Sequence, residues 1–314
     1  VQINGGSGRV GGSVLINGGA GSEKGGIVRV TGVASSSLFT SAQAAQASGA
    51  VRLSTGPSAD GTGSVTVSSG DSKSAGIVSI RSGTSTDSSG SSVSLSAGDS
   101  SSSTGGSLRL ESGSGLASGD ITIGSGEGSN GAGGAVSVQA GLNGAVVIGG
   151  GNAATDSATA GSVEISGGRG AFDVSNGGST LLQGGSSVNG EGGLVRVSGG
   201  SSITSSSGTV EIVSADSAAT SGSVSISTGD SSEGRSGEVL IKSGASQTSS
   251  AGDINVQAGN SKLAGSNVDV QGGAGETGGS VLLSAGVSSA GNNGGKIQFS
   301  GEKEVSVTSS RAAG

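Results

Sequence analysis

Three aspartates occupy the same short frame, Ser-x-Gly-Asp-Ser: Asp71, Asp99 and Asp230. Asp71 and Asp99 lie 28 positions apart. In a coiled chain with turns of that length the two carboxylates would stack and repel unless a cation lay between them. That arrangement would be a calcium site. The plainer role for the same side chain is to cap a corner turn by bonding to nearby backbone, and this is the reading preferred here. The tandem Gly-Gly-x-Gly-x-Asp repeat of calcium-binding β-rolls is absent, so no metal site is assigned.

Other chemistry finds little to work with. The chain has no His and no Cys, which removes the commonest general base and the thiolate nucleophiles. Carboxylate pairs could act on polysaccharide in a β-helical enzyme, but such sites need an aromatic-lined cleft. The only aromatics are Phe39, Phe172 and Phe299. Gly149-Gly150-Gly151 is glycine-rich, yet no Gly-Lys-Ser/Thr follows and no helix opens there, so a phosphate loop is rejected. Regular Thr-x-Thr rows would suit ice, but the mid-phrase residues are mixed: Gln2, Arg29, Thr66, Ser94, Glu164 and Asp269. No catalytic, cofactor-binding or metal-binding residue is assigned, no cofactor is expected, and the chain is not expected to be an enzyme.

The elements that would position any site are short and repeated. A phrase of the type Gly-Ser-Val-x-Ile-Ser-x-Gly recurs, as at Gly12–Ile16, Gly63–Val67, Gly161–Ile165 and Gly222–Ser227. Roughly 21 or 22 copies run through the chain at spacings of about 13 to 15 residues. Self-similarity at a fixed period marks a repeat array. Within a phrase, apolar residues at i and i+2 alternate with polar ones, the pattern of a short half-buried strand. The connections are too long and too regular for a hairpin meander. These features predict an all-β parallel β-solenoid (β-helix) of short V-x-I strands. A coil of about 29 residues with two strands is preferred, because a single Val-x-Ile row needs an apolar surface to face. A coil of about 15 residues with one strand is the alternative.

The array reads as a single repetitive body over 1–314, with an insertion near 33–50. There Ser37 to Ser48 could form a helical turn or two, where the phrase spacing stretches to 23 residues between Val28 and Val51. Four mid-phrase positions, Leu15, Val147, Leu240 and Leu282, are apolar where polar residues are usual. They imply a covered surface, under a folded loop or against a partner.

Composition sets further bounds. Gly accounts for 69 of 314 residues, Pro for 1, and charged residues for 12%. Glycine and serine at this level suggest a linker, but the low charge and the placement of the apolar residues argue against plain disorder. The net charge of −7 and a pI near 4.6, without basic clusters, argue against nucleic acid. No membrane span is visible, no Asn lies in a glycosylation sequon, and the many Ser and Thr leave room for O-linked glycans. The chain opens inside a phrase and closes on Lys303–Thr308, which still reads as a strand. This pattern is expected of a piece of a longer array or of a subunit that stacks head to tail.

The phrase at 222–229, with its Gly, Ser, Thr and Ala spacers, resembles the Gly/Ser-rich repetitive secreted proteins of diatoms and related algae. More distantly, the expected architecture is similar to filamentous haemagglutinin-like surface solenoids. The resemblance covers nearly the whole chain and departs from the simple pattern at 37–48 and 167–178. It implies an extracellular or cell-surface location and no transferable site residues. The function expected on these grounds is a structural subunit of an extracellular fibre, appendage or cell-wall filament. Such a subunit would self-associate head to tail and laterally, polymerising by axial stacking of its coils. The alternative is the stalk of an adhesin or glycan-binding surface protein.

Overall fold

Each phrase is a fixed piece of chain and each connection a variable one. The computed structural model describes residues 2–7, 10–20, 26–32, 34–41, 48–58, 61–129, 132–155, 158–170, 175–289, 291 and 293–308. The chain divides into two units of internal contact, Val1–Ile148 and Gly149–Gly314. In the first, Gly98, Gly113 and Gly126 follow one phrase, and their carbonyls accept from the N–H groups of Gly106, Gly119 and Gly134, which precede the next (2.9, 3.0 and 2.9 Å). In the second, Gly151, Gly168, Gly185 and Gly200 accept from Gly161, Gly178, Gly193 and Gly208, each at 2.8 Å. From a donor glycine to the next acceptor is always seven positions in these runs, as from Gly106 to Gly113 or Gly193 to Gly200. The loops between acceptor and donor range from three to ten positions, Gly141 to Gly144 being a short one and Gly151 to Gly161 a long one.

We call this crossing of two glycines a neck. Many of the phrases between necks run without turn or bend, while the bends fall inside the loops, as at 101–103, 188–190, 203–205 and 232–234. The shortest loop is a true turn. At Gly141-Leu142-Asn143-Gly144 the Gly144 N–H donates to the Gly141 carbonyl at 2.9 Å, and Asn143 has φ of 58°. A left-handed residue in the third place is the mark of a type II turn, and Asn is one of the few non-glycine residues that tolerates it.

This architecture overturns the expected all-β solenoid. Among the described residues there is no helix and no strand, and neither the 29-residue nor the 15-residue coil forms. The physical reason lies at the necks. A Cβ on Gly184 would fall on the Gly193 carbonyl, and a Cβ on Gly193 would lie 2.8 Å from the Gly185 nitrogen. Contacts this close are open only to glycine. At the Gly-Gly necks the backbones therefore approach more closely than residues with a Cβ allow, and the crossing cannot continue as a ladder into the Val and Ser beside it.

No core is built either. None of the described residues is buried, and the accessible area is 31511 Å². A folded monomer of this mass exposes about 11,000 Å² and its unfolded chain about 42,000 Å². The chain thus buries roughly a quarter of its unfolded surface, where a folded domain of this size buries about three quarters. The little shielding present falls at the ends of phrases, at Ala140, Gly184, Ala258, Gly272 and Ala285, and in the loops, at Ser85, Gly170 and Ser288. Residues 42–47 of the expected helical insertion lie outside the described residues. Its flanks, 37–41 and 48, are not helical, and the Thr40 hydroxyl donates to the Gly49 carbonyl at 2.8 Å across the loop.

Candidate functional site

The repeated surface consists of three parts: phrase, neck and loop tip. In the phrase Val146-Val147-Ile148 the exposures are 48%, 88% and 71%. The period-two alternation read from the sequence survives as a weak asymmetry. The first apolar side chain is half-screened, the second less so, and the middle one stands free. Leu15 and Leu282 are as open as Val147, and Leu240 is exposed as well. The expectation that a loop folds over these four positions is therefore not met within the chain. Their apolar surface remains available.

The neck depends on the residue before the acceptor glycine. Where that residue is glycine, as at Gly184-Gly185 or Gly5-Gly6, the backbones close to the limit just described. Where it is alanine, as at Ala97-Gly98, the crossing is wider: a Cβ on Gly106 would meet that of Ala97 at 3.3 Å, and the Gly106 to Gly98 bond is kept. Where it is a hydroxyl residue, the side chain can take over the closure, as Ser82 Oγ does by donating to the Ser91 carbonyl at 2.9 Å.

The loops turn on serine. Ser100, Ser187, Ser202, Ser231 and Ser246 each accept through Oγ from the N–H three residues later, at 2.8 to 3.1 Å. Ser72 accepts from Ser74, two residues on, at 3.4 Å. This places the turn function of the Ser-x-Gly-Asp-Ser frames one position beyond the expected one. The acceptors in these bonds are Ser72, Ser100 and Ser231, not Asp71, Asp99 and Asp230. Among the described residues no group of three or more acidic side chains is arranged to hold a metal ion. A hollow of about 340 Å³ is lined by Val30, Ser36, Ser37 and Leu38, none of them ionisable.

Several loop tips carry a fully exposed aliphatic side chain: Leu116, Leu142, Val188, Ile203 and Leu263. Sequence reasoning had not singled these out, because their loops differ in length and so break the phrase period. The neck was also missed, although its signal was present in the constant seven-residue interval between glycines. Among charged groups, Arg109 pairs with Glu111 two residues away on the same side of its phrase, and that bond holds the guanidinium above its ordinary pKa. Both partners are exposed, so the pair adds little stability.

No family model, curated protein or solved structure matches the chain. Among the described residues no helix is long and apolar enough to cross a membrane.

Proposed function

We propose that this chain is a non-catalytic structural subunit that self-associates, copy against copy, into an extracellular or cell-surface fibre or wall material. The observation that carries the reading is the repeated phrase with an exposed Val and Ile and no strand partner. A straight backbone with unpaired N–H and C=O groups is a template for pairing with another chain. The apolar residues on one side of each phrase give such pairing a driving force of about 25 cal/mol per Å² buried. The many phrases make the contact multivalent, so weak single pairings sum to a strong association. The glycine necks support this role by holding phrases apart at a constant length while the loops vary. The extracellular placement rests on the resemblance of the phrase to secreted algal repeats.

The test is sedimentation of the purified full chain over a range of concentrations, read together with the amide I infrared band. A self-associating subunit forms large particles above a threshold concentration, with a β band appearing at the same threshold. A chain that stays monomeric at every concentration contradicts the proposal.

A further inference from the structure

The mid-phrase charges differ between the two units. In 1–148 the charged mid-phrase residues are all arginines: Arg29, Arg52 and Arg109. In 149–314 they are Glu164, Glu211 and Asp269, with Arg196 as the exception. All seven are exposed. The two units differ in total charge in the same sense. The first holds seven Lys and Arg against eight Asp and Glu, a net −1; the second holds eight against fourteen, a net −6. The division falls at the boundary between the units.

Like charges placed directly opposite each other across paired segments repel, and opposite charges attract. Pairing the phrases of the second unit with the same unit of another copy would set Glu164, Glu211 and Asp269 against one another. Pairing the first unit with itself would oppose arginines. Pairing the first unit of one copy with the second unit of the next sets arginine against carboxylate. We infer that the self-association is heterologous, the 1–148 phrases of one copy docking on the 149–314 phrases of another. This rests on the self-association proposed above and adds its partner surface and polarity. A contact of this kind does not close on itself, so it propagates as an open polymer instead of stopping at a symmetric dimer. The opposed mid-phrase charges also suppress the wrong register.

Two full-length variants test the inference. R29E/R52E/R109E makes the phrases of both units acidic, and E164K/E211K/D269K makes both basic. Each variant alone is expected to raise the threshold concentration for assembly by roughly ten- to a hundredfold at low salt. An equimolar mixture of the two is expected to restore assembly, with both variants in the same particles when each carries a different fluorophore. The double variant R29E/R52E leaves the Arg109–Glu111 pair intact and should act in the same direction by a smaller factor. Assembly of either triple variant at the wild-type threshold overturns the inference, as does failure of the mixture to recover. Neither result touches the proposed function, which fails only if the unaltered chain does not assemble.

Discussion

Gly193 and Gly185 face each other in one neck, and alanine should have opposite effects at the two. A Cβ on Gly193 would lie 2.8 Å from the Gly185 nitrogen, a backbone atom that cannot rotate away. Around Gly185 a Cβ meets nothing within 4 Å. Its φ lies outside the left-handed range, since among the described residues positive values occur only at Gly61, Asn143 and Gly291. In Gly193→Ala the crossing must widen, and the 2.8 Å bond from the N–H at position 193 to the Gly185 carbonyl is the contact that gives way. An exposed backbone bond contributes about 0.5–1.5 kcal/mol net, so the closed neck should lose about two- to tenfold in population. In Gly185→Ala the neck is kept, and the stiffer unfolded chain favours it by about 0.4–1 kcal/mol. The assay is amide hydrogen exchange at position 193, followed by NMR on the dilute chain. Gly193→Ala should speed exchange there by that factor, and Gly185→Ala should leave it unchanged or slow it. Equal acceleration by both substitutions would refute the argument that close backbone approach selects glycine here.

Further outcomes follow from the loops and phrases. Asn143 sits at positive φ in a type II turn, so Asn143→Gly should be neutral and Asn143→Val should cost about 1–2 kcal/mol, read as loss of the Gly144 amide bond. Ser100→Ala removes the acceptor of the Ser103 amide and should expose that amide to faster exchange, whereas Asp99→Asn should leave it unaltered. The opposite ranking would return the turn function to the aspartate. Replacing Leu15, Val147, Leu240 and Leu282 together by serine removes exposed mid-phrase apolar surface. It should raise the assembly threshold by about tenfold or more while leaving neck amides unchanged. An unaltered threshold would show that these four side chains take no part in association.

The repeat, its length and its apolar alternation were all legible in the sequence. At Val14, Leu15 and Ile16 the alternation survives as a gradient of exposure, although Leu15, expected to be covered, is the most open of the three. What periodicity could not show is whether the phrases find one another within a single chain. The alternation of Val224 and Ile226 states that one side prefers an apolar neighbour; it does not say which molecule supplies it. The solenoid expectation assumed that successive phrases stack. Where Gly-Gly necks bound them the backbones cross too closely for a ladder to continue, a property of Gly184 and Gly193 that composition alone reads as flexibility. The aspartate frames misled for a related reason. Asp99 and Ser100 are both good turn formers, and only the geometry shows that the serine oxygen takes the bond.

The central claim is that order in this protein arises between copies. Its most direct test is a pair of infrared spectra of the full chain, one below and one above the threshold at which scattering rises. The account predicts no β band in the dilute monomer, and above threshold a strong β band with a fibre reflection near 4.8 Å. A dilute monomer that already shows the full β band, unchanged on concentration, would contradict it.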